Sequence, residues 1–132
     1  MEKLINNPGY SPNKLNPISL AFLGDAVYEI LVREHILKSG ITVNGKMHVL
    51  AKKLVSAEGQ NKAIEKILHC LTEQELGVYR RGKNAKPHSH PKNADLSAYH
   101  SATGFEALFG FLHLSANTER MNELFNMIVE EI

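Results

Sequence analysis

Cysteine is almost missing from this chain: Cys70 stands alone among 132 residues, so there is no internal disulfide to form and no four-cysteine metal site to build. That fits a reducing, cytoplasmic setting, with Cys70 read as a small core hydrophobe. Long apolar runs are missing too. None approaches the roughly 18 residues of a membrane span, and the start Met1-Glu-Lys-Leu-Ile-Asn-Asn-Pro-Gly9 lacks a basic stretch followed by an apolar one. A soluble protein without membrane contact is expected. Net charge is only +1, so affinity for nucleic acid has to come from where charges sit and not from their total. No segment alternates apolar and polar residues convincingly, and no internal repeat is visible.

What is present is helical periodicity in a chain 43% hydrophobic and 22% charged, the balance of one ordinary globular domain. Asn16 as N-cap and Pro17 at the first helical position open a helix running to Lys38, where Gly40 supplies a stop. Thr42 or Asn44 opens a second, with Val49, Leu50, Leu54 and Val55 on its apolar side; it continues, with a break near Gly59, through Ile64, Ile67 and Leu68. Thr72-Glu-Gln-Glu75 has capping-box spacing and starts a short helix ending around Arg81-Gly82. From Gly82 to Asp95 the prolines, lysines and histidines show no periodicity, and a mobile basic loop is expected. A helix from about Ala98 to Ala116 carries Phe105, Leu108, Phe109 and Leu112, and Asn117 or Thr118 caps a last amphipathic helix to Ile132. The expected architecture is all-α, a single domain over residues 1–132 with residues 1–14 as an N-terminal extension.

Two carboxylates stand where stability alone would not put them. The first helix is apolar on nearly all sides from Ile18 to Val32, which predicts a central, buried helix. Asp25 lies in its middle, although Asp is a poor interior helix former and a buried carboxylate needs compensation. Gly24 beside it is costly in a helix unless another backbone or an ion approaches closely. Ala102-Thr-Gly-Phe-Glu-Ala-Leu-Phe-Gly110 repeats the grammar, with Glu106 in an apolar segment between Gly104 and Gly110. If the two helices cross at their glycines, Asp25 and Glu106 meet, and such a pair either shares a proton or binds a hard divalent cation such as Mg²⁺. The other reading pairs each acid with a nearby Lys or Arg. Spacing leaves both open.

At these residues the chain resembles the ribonuclease III family, whose signature helix reads Glu-Phe-Leu-Gly-Asp-Ala-Val-Leu-Glu and whose second acidic motif reads Ala-Asp-x-Phe-Glu-Ala-Leu-Ile-Gly. The counterparts are Ala21-Phe-Leu-Gly-Asp-Ala-Val-Tyr-Glu29 and Ala102-Thr-Gly-Phe-Glu-Ala-Leu-Phe-Gly110. The resemblance implies a ribonuclease III endonuclease-domain-like helical bundle, with the catalytic Asp at Asp25 and the catalytic, metal-binding Glu at Glu106. It also implies Mg²⁺ as cofactor, with Mn²⁺ the second candidate. Family members usually carry four site acids, whereas Ala21 and Thr103 stand at two of those positions here. Without an appended double-stranded-RNA-binding domain, the chain looks most like the Mini-ribonuclease III branch. That branch implies a homodimer that lays a duplex across two active sites, cuts both strands and trims precursor large-subunit ribosomal RNA.

Charge is segregated in a way that suits such a substrate. Arg80, Arg81, Lys83, Lys86 and Lys92 fall in a stretch without an acid, whereas Glu119 to Ile132 holds four Glu against one Arg. A basic segment can follow phosphates and 2′-hydroxyls across a duplex, although a solvated linker would look the same. Glu29, one turn after Asp25, is a candidate for orienting a metal water or a Lys, and pairing with Arg33 at i+4 is its alternative. The chief functional alternative is a ribonuclease III-like RNA-binding or ribosome-associated domain that lost its chemistry, motivated by Ala21 and Thr103. A purely helical dimerisation module, suggested by the apolar stretch from Leu20 to Leu31, is the third.

Overall fold

A computed structural model describes residues 11–85 and 96–130. Among them are six α-helices and no strand: α1 (Pro17–Lys38), α2 (Asn44–Val55), α3 (Ala57–Ile67), α4 (Glu73–Asn84), α5 (Leu96–Leu114) and α6 (Thr118–Val129), with single 3-10 turns at Pro12–Lys14 and Leu68–Cys70. No helix among the described residues is long and apolar enough to cross a membrane.

Local chemistry sets most of the boundaries. The Asn16 side chain accepts from the Ile18 N–H at 2.8 Å, and Gly40 turns the chain after α1 with φ +85°. The break expected near Gly59 falls at Ser56, whose extended backbone ends α2 while its hydroxyl accepts from the Gly59 N–H at 3.0 Å. A serine that can cap competes with the helix interior, and here the cap wins. The capping box at Thr72 forms in both directions, with the Glu75 N–H on the Thr72 hydroxyl at 3.1 Å and the Thr72 N–H on Glu75 Oε1 at 2.9 Å. α4 then continues to Asn84, so residues 82–84 of the expected loop are helical. Residues 86–95, the remainder of that loop, lie outside the described residues, as do 1–10 and 131–132.

The central helix is α5, not α1. From Ser101 to Leu112 every residue of α5 is buried except Glu106, because α1, α3, α4 and α6 all pack against it. α1 buries one stripe at helical spacing, Leu20, Ala21, Gly24, Val27, Tyr28, Val32 and Ile36, and leaves the other face open. On that open face Phe22 is 84% exposed, Ile30 57% and Leu37 55%. The all-round apolar pattern of α1 therefore records more apolar surface than this one core can cover. Tyr28 packs edge-on against Phe105, Phe109 and Phe125 at centroid distances of 4.8, 5.4 and 5.9 Å, and burial pushes its hydroxyl up.

A single ion pair locks α6 to the start of α4. Arg120 donates through Nε and Nη2 to the two oxygens of Glu75, both at 2.8 Å, and through Nη2 to the Cys70 carbonyl at 2.7 Å. Cys70, half-buried at the edge of the core, fits its reading as a small hydrophobe.

Candidate active site

The site follows from how closely α1 and α5 approach. A Cβ on Gly24 would overlap the carbonyl oxygen of Glu106, and one on Gly110 would overlap that of Leu20, so each backbone rests on the other helix's glycine. This crossing brings Asp25, the residue after Gly24, beside the side chain of Glu106. Gly104 serves a different contact: a Cβ there would lie 2.5 Å from the Tyr79 carbonyl oxygen, and one on Gly82 would lie 2.8 Å from the Gly104 Cα. α4 is thereby seated on α5 two residues before Glu106. The two glycines flanking Glu106 thus fix two neighbours on either side of it.

The setting of the two acids differs from the sequence expectation. Asp25 is exposed, and the carboxylate in the costly position is Glu106, half-buried within the otherwise buried stretch from Ser101 to Leu112. Burial is the first cause that pushes the Glu106 carboxyl up, to about 8, and the charge of Asp25 is the second. A hydrogen bond with Asp25 raises it further, while the Gln60 amide pulls the other way. Among the described residues no ion pair joins either acid to Lys, Arg or His. The ion-pair alternative therefore has no partner there, and at neutral pH the pair is suited either to share a proton or to take up a cation.

The donor set fits a hard divalent ion. Both side chains offer oxygen, one faces solvent, and no group of three or more His, Cys, Asp or Glu gathers among the described residues, so water or phosphate oxygens would complete the shell. The two positions that depart from the family pattern add no ligand. Ala21 is buried with only a methyl to offer, and the Thr103 hydroxyl donates to the Tyr99 carbonyl at 3.0 Å within its own helix.

Glu29 lies in the same shallow depression as Asp25, Ala26, Ile30 and Arg33, but its carboxylate pairs with Arg33 at 3.4 Å, as the i+4 alternative has it. Of the basic candidates, Arg80, Arg81 and Lys83 belong to the last turns of α4; Arg80 is exposed, Arg81 donates to the Asn13 carbonyl at 3.3 Å, and the Lys83 ammonium stands 6.0 Å from the Tyr79 ring centroid. Lys86 and Lys92 lie outside the described residues.

One residue escaped the sequence reading. Gln60 of α3, 2% exposed, donates from Nε2 to Glu106 Oε2 at 3.3 Å and to the Val55 carbonyl at 3.2 Å. Its signal was present: Gln60 shares the apolar stripe of Ala63, Ile64 and Ile67 as the one polar member.

Residues 18–117 match the family described as Ribonuclease III domain. A Mini-ribonuclease 3 of Enterococcus faecalis is 42% identical over 121 residues, covering 90% of this chain and 92% of its own. The Mini-ribonuclease 3 of Brevibacillus brevis is 45% identical over 113 residues, covering 86% and 84%. In three dimensions the chain is similar to a crystal structure of a Fusobacterium nucleatum protein with a TM-score of 0.80 at 27% identity, over 89% of this chain and 95% of that one. With a family match that spans both acidic motifs and relatives aligned over nearly their whole length, this chain belongs to the ribonuclease III family.

Proposed function

We propose that this chain is a metal-dependent endoribonuclease of double-stranded RNA, built as one catalytic domain, in which Asp25 and Glu106 hold Mg²⁺ or Mn²⁺. The observation that carries the reading is Glu106: a half-buried carboxyl raised to about 8 beside Asp25, with no cationic side chain among the described residues to balance the pair. A scaffold gains nothing from such a couple, whereas a divalent ion removes both its repulsion and its proton. Bound there, the ion supplies charge against the phosphate and a nucleophilic water at neutral pH. Asp25, exposed on α1, and Glu106, half-buried on α5, would be the two side chains that hold the ion. With only two acids, the protein's own ligands would suffice for one tightly held ion, and a second would need oxygens from the RNA phosphate.

The remaining parts follow the same reading. The open face of α1, with Phe22, Ala26, Ile30 and Leu37 in one stripe next to Asp25, is where a second copy docks. The homodimer then sets two sites along one duplex. Arg80, Arg81 and Lys83, close to the α4–α5 crossing, together with Lys86 and Lys92, follow the phosphate backbone by shape and charge. The substrate is precursor large-subunit ribosomal RNA in the cytoplasm, where the unpaired Cys70 stays reduced.

Asp25→Asn tests the core of this reading. Cleavage of a duplex RNA in Mg²⁺ is expected to stop while RNA binding and the fold stay near wild type; a variant that cuts as fast as the parent refutes the mechanism. The second reading, a domain that binds duplex RNA without cutting it, is favoured by Ala21 and Thr103. It requires gel shifts without products from the wild-type protein at every Mg²⁺ concentration. For the dimer, Phe22→Lys is expected to sediment as a folded monomer.

A further inference from the structure

Gln60 is the one side chain of α3 that reaches the acidic pair, and nothing in the apolar stripe around it calls for an amide. We propose that Gln60 is a positioning residue, holding Glu106 in the orientation in which it binds the divalent ion, a role that rests on the metal reading of Asp25 and Glu106.

Its geometry leaves little freedom. Nε2 lies 3.3 Å from Glu106 Oε2 and 3.2 Å from the Val55 carbonyl, and because that carbonyl can only accept, the amide group points its nitrogen toward them. Val55 is the last residue of α2, where helix carbonyls lack partners within their own helix. Gln60 therefore joins the end of α2 to Glu106 on α5 across the first turn of α3. Gln60 itself is 2% exposed, so the amide end of this bridge is shielded from solvent.

The other end of the amide shows what the residue is for. Oε1 of Gln60 is buried and finds no hydrogen-bond donor among the described residues. A Leu or Met at this position would continue the stripe of Ala63, Ile64 and Ile67 without leaving a polar atom unserved. The amide is thus a poor choice for packing and is accounted for by its nitrogen, which occupies one oxygen of Glu106. A neutral donor is well matched to that role, because it steers the carboxylate without competing for the ion, as a Lys or Arg would. With Ala21 and Thr103 providing no ligand, each remaining carboxylate matters more, and so does what aims it.

The test compares wild type with Gln60→Met, equal in length but without a donor, and with Gln60→Leu should the Met variant fail to fold. Mn²⁺ binding to the metal-free protein is measured by calorimetry, alongside its thermal midpoint and the Mg²⁺ concentration for half-maximal cleavage of a duplex RNA. The expected result is a Mn²⁺ affinity about 10–100-fold weaker, a half-maximal Mg²⁺ concentration raised by a similar factor, and a midpoint equal to or above wild type. A merely structural bridge predicts the reverse, a lowered midpoint with Mn²⁺ affinity unchanged, and that outcome overturns the proposal. Wild-type protein that binds no Mn²⁺, or Asp25→Asn that binds it as tightly as wild type, overturns the metal reading and the role of Gln60 with it.

Discussion

Glu75 and Glu106 are both carboxylates set into helices against the core, and their surroundings treat them in opposite ways. Glu75 is 5% exposed, and burial by itself would raise its carboxyl. The Arg120 guanidinium, gripping both oxygens, and the Thr72 backbone N–H outweigh that and hold it below the ordinary carboxylate range. Glu106 has more access to solvent, yet burial and Asp25 hold it above that range, with only the Gln60 amide opposing. Burial of an acid is therefore not what marks a working site. What singles out Glu106 as a candidate is burial that no cation among the described residues compensates.

This contrast can be broken in order of expected effect. Glu106→Gln removes a ligand and one of the two repelling charges together, so cleavage of duplex RNA should fall by more than about 100-fold. The thermal midpoint of the metal-free protein at pH 8 should rise, on the order of 5 °C. Calorimetry and a cleavage assay on the same preparation check both, and a lowered midpoint would show that Glu106 is structural after all. Arg120→Met acts the other way. It strands the buried Glu75 carboxylate and should destabilise by about 3–5 kcal/mol in urea unfolding, with cleavage well below the new midpoint near wild type.

The two acids should also divide the pH dependence of stability. Because Glu75 is held low, its contribution is present above the ordinary carboxylate value and is lost as pH falls through its folded value. Glu106 is held high, so in metal-free protein its contribution is present in acid and is lost as pH rises from the ordinary value toward about 8. The midpoint advantage of Glu106→Gln over wild type should thus grow between about pH 5 and 8 and shrink when Mn²⁺ is added. An advantage independent of pH would remove Glu106 as its cause. The smallest effect is expected from Thr72→Ala, which deletes the hydroxyl half of the capping box and should cost about 1 kcal/mol, read from the urea midpoint.

Much of the fold was written in local chemistry. Asn16 and Pro17, Thr72 with Glu75, and Asn117 before α6 act within one turn of chain, so their residue types carry their structural role. Asp25 and Glu106 stood out as candidates as well, because an acid in an apolar helical segment with glycine one or two residues away is an anomaly at short range. Gln60 was harder: a lone glutamine in an apolar stripe signals a partner but not which one, and Glu106 is 46 residues away.

The sequence by itself determined that the chain is helical, where most helices begin, and that two acids sit in motifs shared with the ribonuclease III family. Only the tertiary structure decided which helix is central, because apolar residues all round α1 say that its surface is to be covered and not by what. Likewise it alone decided which acid carries the burial. Asp25 and Glu106 have similar neighbours along the chain, but the α1–α5 crossing at Gly24 and Gly110 leaves Asp25 in solvent and Glu106 half-buried on α5 beside Gln60 of α3. Desolvation and charge proximity are properties of three-dimensional surroundings, so the asymmetry that makes this pair a candidate metal site exists only once the helices have met.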